Sequence, residues 1–518
     1  MPVVSALAAI AAAMALLPLL YLAIVVIGDP AGALRPLARG RVWTLLANSV
    51  LLAAAVTATT VALAVTLAWL IERTDVPGRR VWRVLAVLPL ALPSYVAAYL
   101  LVSALGPRGE VVVQVLEPLT GLERLPSIYG FVAAWLTLSL VSYPYVLIPV
   151  AAALRGLDPA LEEASRSLGH GPTRTLVRVV LPQLRPAIGA GALLVALYVL
   201  SDFGAVALSR YDTFTRAIFT SYKASFDRSG AAGLAVILVA LTAMLVWLES
   251  RTRSRGALAR AAGSAGRTPT PRPLGRLKWP TLLIVLVLLA ATVALPLGML
   301  LLWLVRAAGA APDLGVLAFA AGRSMLAAGL AAAAATMIVL PITILSVRSR
   351  GRGARFAETA VYLGHALPGI VVALALVFLT LRAVPVLYQT LAALVLALAL
   401  LYLPQALAPQ RAALLQVSPR LAESARSLGA RPLALLLRVQ LPLMRRGLLA
   451  GAALVFLTAV KELPATLILA PPEFSTLSMQ IWTATSTSAY EDAALPSLLL
   501  LLAGILPLAW GARQEVDR

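Results

Sequence analysis

The stretch that decides the fold runs from Asp158 to Gly191, DPALEEASRSLGHGPTRTLVRVVLPQLRPAIGAG. It returns 260 positions later, from Ser418 to Gly451, as SPRLAESARSLGARPLALLLRVQLPLMRRGLLAG. At that offset Glu163 falls on Glu423, Arg166 on Arg426, Ser167 on Ser427 and Leu168-Gly169 on Leu428-Gly429. Pro172 falls on Pro432, Arg178 on Arg438, and Leu181-Pro182 on Leu441-Pro442. Two unrelated apolar helices would share Leu and Ala, not a glutamate, a glycine and two prolines. The chain contains an internal repeat.

Both copies follow the same physical grammar. Asp158-Pro159 and Ser418-Pro419 are an N-cap followed by proline in the first helical turn. The spacing predicts a short helix, with Leu161, Ala164, Ser165 and Leu168 on one face of the first copy. Gly169 and Gly429 stand where a helix stops in the left-handed region. Pro172 and Pro432 open a second short helix, which Leu-Pro is expected to end. Such segments are too short and too charged to cross a bilayer. Lying between long apolar runs, they belong at the membrane surface, facing a partner.

The two stretches resemble the cytoplasmic coupling loop of binding-protein-dependent ABC importer permeases, the EAA loop. The resemblance rests on Glu163-Ala164-Ser165, three residues, then Gly169, and on Glu423-Ser424-Ala425, three residues, then Gly429. Each copy closes on Leu-Pro. The small residues are not all alanine, a mild departure from the pattern. Each loop follows four long apolar segments and precedes two more, which strengthens the likeness.

Composition bounds the class independently. Hydrophobic residues make up 61% of 518, where a soluble chain is nearer half. The mean hydropathy of +0.91 and a charged share of only 13% describe a polytopic membrane protein. With no cysteine there is no disulfide framework, thiolate metal site or thiol nucleophile. His170 and His365 are the only histidines, too few for a His-based metal or acid–base centre. A net charge of +21 raises nucleic acid as a partner. The basic residues lie in short loops between apolar spans, as the positive-inside rule requires, so nucleic acid is not expected.

Apolar runs near 4–27, 45–71, 83–105, 128–154, 187–208 and 231–249 are followed by runs near 280–305, 317–347, 357–381, 386–408, 447–470 and 493–512. The expected fold is an all-α polytopic membrane protein of about twelve transmembrane helices in two six-helix repeats. Outside the loops the repeat continues at an offset of 275, which aligns Ser49 with Ser324, Arg73 with Arg348 and Leu92-Pro93 with Leu367-Pro368. The change of offset marks a longer first-half loop within 106–127. The expected domains are residues 1–250, a cytoplasmic linker at 251–278 rich in Arg, Pro, Gly and Thr, and residues 279–518. Charge places both repeat loops and both termini inside, so the repeats run parallel. Arg35, Arg39 and Arg41 fall outside and are the main exception.

Further stretches resemble one branch of the family, the fused two-domain ferric-iron permeases. They include Ser201-Asp202-Phe203-Gly204, Tyr211-Asp212-Thr213-Phe214, Lys461-Glu462-Leu463-Pro464 and Ala493-Ala494-Leu495-Pro496. With Leu92-Pro93-Ser94-Tyr95 and Leu367-Pro368-Gly369 the likeness covers nearly the whole chain. Fused thiamine permeases look similar, so thiamine or another small organic cation stays open as substrate.

What the resemblance implies is a MetI-like permease subunit in a bacterial or archaeal cytoplasmic membrane. A periplasmic or lipid-tethered binding protein delivers substrate from outside. Two copies of an ATPase subunit sit under the loops and carry the ATP and Mg; no cofactor is expected in this chain. Independently, the chain has no G-x-x-x-x-G-K-[ST] sequence, so the ATPase is a separate chain. The resemblance assigns ATPase coupling to Leu161, Glu163, Ala164 and Gly169, and to Leu421, Glu423, Ala425 and Gly429. Asp202 and Glu462 occupy equivalent repeat positions part-way along the fifth and eleventh spans. A charge inside a membrane segment is costly and commonly faces the bundle interior. The pair therefore either lines the translocation path or holds the structure. No catalytic or metal-ligating set is expected. A secondary transporter, which would want several intramembrane carboxylates, is the alternative of a different class.

Overall fold

The computed structural model describes residues 2–38, 40–106, 126–252, 273–307, 313–349, 351–365 and 367–516, with positions 113, 117 and 121. Most of the expected 251–278 linker and of the 106–127 loop lies outside the described residues. What is described is built of α-helices. Eight are long and apolar enough to cross a membrane, or eleven spans if each of three bent helix pairs counts as one. A further helix, Tyr490–Val516, stands at the twelfth apolar run. Helices suit the bilayer because each satisfies its own backbone groups where water is missing. Their outer faces agree: Val3, Leu7, Ile10, Leu20 and Ile24 of the first helix are all more than half exposed or at that level.

The packed units are not the two halves of the chain. One unit is Arg39–Ala217 with Ile237–Arg306. The other is Met1–Ala38, Ile218–Val236 and Ala307–Arg518. The first helix, Pro2–Gly28, packs on Leu314–Arg348, Arg352–His365 and Gly369–Ala383. Tyr21 fastens it there by donating its hydroxyl to the Phe378 carbonyl at 2.8 Å. Conversely, the helical run Gly275–Ala307 belongs with the first-half helices. Trp303 donates to Ser103 Oγ at 3.1 Å, and Asp75 accepts from the Leu274 N–H at 2.8 Å.

Within each unit the organising element is one very long helix, Arg41–Arg73 or Leu314–Arg348. At 33 and 35 residues each runs about 50 Å, well beyond a hydrocarbon core of about 30 Å, so its end reaches the membrane surface. Arg41–Arg73 packs on Phe131–Ser142, Pro144–Gly156 and Leu181–Ser201. Leu314–Arg348 packs on the repeat-related Leu391–Leu401, Leu403–Gln416 and Leu441–Ala459. The repeat reaches down to single bonds. Ser49 Oγ accepts from the Phe214 N–H at 3.2 Å, and Ser324 Oγ from the Leu477 N–H at 2.9 Å.

Two equivalent glycines each allow a close helix crossing, one in each unit. A Cβ on Gly191 would stand 2.7 Å from Val146 Cα, and one on Gly451 3.1 Å from Ala406 Cα. Small residues allow this approach, which dispersion then rewards along the whole contact. Gly189, two residues away, has nothing within 4 Å of a Cβ. Gly191→Val is expected to cost about 1–3 kcal/mol through forced backbone displacement, lowering the thermal midpoint in detergent. Gly189→Val is expected to leave it nearly unchanged.

Candidate functional site: the repeat loops and the two buried carboxylates

The first repeat loop contains one free-standing helix, Pro159–Ser167, and the second contains Pro419–Ser427. Asp158 Oδ1 caps the first by accepting from the Ala160 N–H at 2.9 Å. Both end in the left-handed turn that the sequence predicts, with φ of 79° at Gly169 and 81° at Gly429. Beyond Gly169, the His170 N–H closes onto the Ser165 carbonyl at 3.2 Å, and the Gly169 N–H onto Arg166 at 2.9 Å. The second copy repeats the closure from the Ala430 N–H to the Ala425 carbonyl at 3.0 Å. These are the bonds that satisfy a helix's last carbonyls when a glycine follows it.

The second short helix of each loop does not end at Leu-Pro. Pro172–Thr175 runs through a wide turn at Leu176–Val180 directly into Leu181–Ser201. Pro432–Leu435 does the same through Leu436–Gln440 into Leu441–Ala459. In each wide turn an N–H bonds five residues back, Leu181 to Leu176 and Leu441 to Leu436. A proline normally breaks a helix because it lacks an N–H and crowds the carbonyl four residues earlier. One π-turn absorbs that conflict and keeps the helix continuous.

Most of the residues expected to couple are exposed, and other residues of the same helices are exposed beside them. Leu161 and Leu421 are about half exposed, and Leu168 and Leu428 almost fully, at 78% and 89%. Glu163, Ala164 and Glu423 are exposed, and Ala425 is half-buried. Ser165, expected on the same face as the leucines, turns inward instead. It is buried and shares hydrogen bonds of 3.1 Å with His170 Nδ1 and Thr175 Oγ1. Four apolar leucines left in water are expensive unless something covers them. The His365 side chain lies outside the described residues.

Sequence reasoning passed over Glu162. It is buried against Arg73, with Nη2 to Oε1 at 3.2 Å, and Arg73 Nη2 also donates to the Leu154 carbonyl at 2.9 Å. Beside it, Glu72 accepts from Arg83 at 2.9 Å and from Arg155 at 2.7 Å. The sequence marks Arg73 as the repeat equivalent of Arg348, not as a buried partner. A pairing across that much chain leaves no periodic mark.

Asp202 and Glu462 lie at helix breaks, not inside continuous spans. Leu181–Ser201 stops before Asp202, and the short helix Gly204–Leu208 begins two residues later. Leu441–Ala459 is followed in the same way by Pro464–Leu469. Both side chains are buried. Asp202 Oδ1 accepts from the Ala205 N–H at 2.9 Å, and Glu462 Oε2 from the N–H groups of Ala465 and Thr466 at 3.0 and 3.4 Å. Each carboxylate satisfies donors that a new helix leaves open, and the positive end of the helix favours it there. The neighbouring residues compensate for side-chain length. Ser94 donates to the short Asp202. Its repeat equivalent is Gly369, where a Cβ would stand 2.6 Å from Oε1 of the longer Glu462.

The family described as binding-protein-dependent transport system inner membrane component matches residues 64–254 and again 329–510. The chain belongs to that family, twice over. It is the multi-pass inner membrane permease subunit of an ABC importer, a system that includes ATPase and binding-protein partners.

Among its relatives is the Fe(3+)-transport system permease protein FbpB 2 of Haemophilus influenzae, 34% identical over 91% of this chain and 90% of the relative. The molybdenum transport system permease protein ModB of Escherichia coli is 32% identical over 36% of this chain but 85% of its own length. A probable molybdenum permease of Haloferax volcanii is 33% identical over 40% of this chain and 74% of its own length. One half of this chain therefore matches most of a single-domain permease.

The size compensation at the second carboxylate is testable. Gly369→Ser alone and Glu462→Asp alone are each expected to lower the thermal midpoint. The double variant, which copies the Ser94–Asp202 arrangement, is expected to recover about 1 kcal/mol of coupling energy in a double-mutant cycle.

Proposed function

We propose that the imported substrate is ferric iron. The observation that carries this reading is the end-to-end similarity to a ferric-iron permease, over nearly all of both chains. In this reading residues 1–250 and 279–518 are two permease halves joined by a cytoplasmic linker at 251–278. Both termini and both repeat loops face the cytoplasm. A periplasmic or lipid-tethered binding protein presents the iron outside, and two copies of an ATPase subunit, carrying ATP and Mg, dock inside. Transport in proteoliposomes with the cognate receptor and ATPase tests the substrate. Iron uptake driven by ATP is expected, without uptake of thiamine or molybdate; ATP-driven uptake of either of those instead of iron overturns the reading.

Coupling is assigned to Leu161, Glu163, Ala164 and Gly169, and to Leu421, Glu423, Ala425 and Gly429. What supports this is the exposure of the leucines and glutamates on a short helix that closes on a glycine turn in both copies and is capped by Asp158 in the first. A cleft on the ATPase would cover the leucines, and its cationic side chains would meet Glu163 and Glu423. Asp202 and Glu462 are assigned to the pathway, supported by a buried carboxylate at an interruption of an apolar span in each half. Asp202→Asn with Glu462→Gln is expected to slow transport while ATPase docking persists; unchanged transport leaves both as helix caps alone.

The glycines give the sharpest test of the loops. Nothing crowds a Cβ at either, so a side chain there costs only backbone strain, about 1–2 kcal/mol per loop. Gly169→Val with Gly429→Val is expected to reduce receptor-stimulated ATP hydrolysis roughly tenfold while the protein still inserts. Glu163→Ala with Glu423→Ala is expected to weaken ATPase co-purification. If both pairs leave both measurements unchanged, the loops do not couple.

A further inference from the structure

The two repeat loops have the same outer face and different roots. Under the first, Glu162 is buried against Arg73 at 3.2 Å, with side-chain exposures of 6% and 3%. Arg73 is the last residue of the long helix Arg41–Arg73, and the same guanidinium holds the Leu154 carbonyl near the end of Pro144–Gly156. One residue earlier, Glu72 collects Arg83 and Arg155. The first loop helix is thus tied to two membrane helices through one buried cation, with a second charged cluster beside it.

The second copy keeps the cation but not the same partners for it. Arg348 stands for Arg73, but Ala422 stands for Glu162. Among the described residues, Arg348 Nη2 is buried without a hydrogen-bond partner. Val347 replaces Glu72, and Leu415 replaces Arg155. Val347 instead packs against a buried apolar cluster of Ile344, Leu414, Val417 and Met444. The repeat equivalent of Arg83 is Glu358, which pairs with Arg411.

These roots differ in mechanical character. A buried ion pair is directional, and removing one partner strands a charge away from water, so the pair holds one geometry. Apolar contact is non-directional and depends on area, so it tolerates sliding and tilting. We propose that Arg73 and Glu162 are positioning residues that fasten the first coupling loop to the membrane helices, and that the second loop, lacking this pair, moves more freely. Identical ATPase subunits would then push on one stiff loop and one compliant loop. The stiff one transmits displacement to Arg41–Arg73 directly. This proposal rests on the coupling assignment of the loops made above.

The chain has no cysteine, so single labels can be placed without a background. Spin labels at Ser167→Cys and Ser427→Cys report the two loop helices in the full-length permease reconstituted without ATPase. The label at 167 is expected to be the less mobile. Glu162→Gln is expected to raise its mobility at least twofold and leave the label at 427 unchanged. Ala422→Glu, which copies the carboxylate that the first repeat has at the equivalent position, is expected to reduce mobility at 427. The charge exchange Arg73→Glu with Glu162→Arg is expected to return the 167 label toward its starting mobility, which a loss of folding would not do. Equal mobility at both sites, or no response to Glu162→Gln, overturns the anchor. In the assembled importer, Glu162→Gln is expected to lower substrate transported per ATP at least twofold with ATPase docking retained. An unchanged ratio alongside a loosened 167 label overturns the claim that the anchor serves transport. The Glu163 and Glu423 variants test the coupling assignment itself, so the two failures are told apart.

Discussion

A backbone amide inside a bilayer has no water to turn to, and every departure from a continuous helix must supply its own partners. The structure is organised by how it meets that requirement. Most of the chain avoids the problem by staying helical. Where the chain has to break, the same device is used in both halves. Asp202 and Glu462 close the break in their spans by accepting from the N–H groups that the next helix leaves open. The prolines Pro182 and Pro442 are carried through by a π-turn, so no break forms there. At the surface, Gly169 and Gly429 turn the chain back while their helices' last carbonyls stay bonded.

A carboxylate buried in this way is expensive, and its neighbours show how the cost is limited. Asp202 has Ser94 to donate to it, while Glu462 has the space left by Gly369. The acid reaches the same helix start from two different side-chain lengths. The repeat has therefore conserved a job and not a residue. The same holds at Ser49 and Ser324, which accept from a backbone N–H on Phe214 and Leu477. There the serine is kept and the residue it serves differs.

The halves diverge where they meet the aqueous side. The first loop stands on charged pairs, Arg73–Glu162 and Glu72 with Arg83 and Arg155. The second stands on an apolar cluster around Leu414 and Met444, with a different pair, Glu358–Arg411, beside it. Single-domain relatives such as the molybdenum permeases match one half of this chain. Within this one chain the two loop roots have taken different chemistries.

The amino-acid sequence by itself determined the class of the protein, its internal repeat, the surface loops and the glycine turns. It could do so because apolar run length, a fixed offset and a left-handed glycine are all local or periodic signals. It also pointed to Asp202 and Glu462, because a carboxylate in an apolar run stands out. It placed them inside spans, since hydropathy does not register an interruption of two residues, as at Asp202, or four, as at Glu462. Only the tertiary structure decided that each first helix packs with the other half's helices, that Ser165 turns inward, and that Glu162 is buried on Arg73. Those facts depend on which faces meet across long stretches of chain. A glutamate next to Glu163 and an arginine at a helix end look like surface charge until the fold brings them to 3.2 Å.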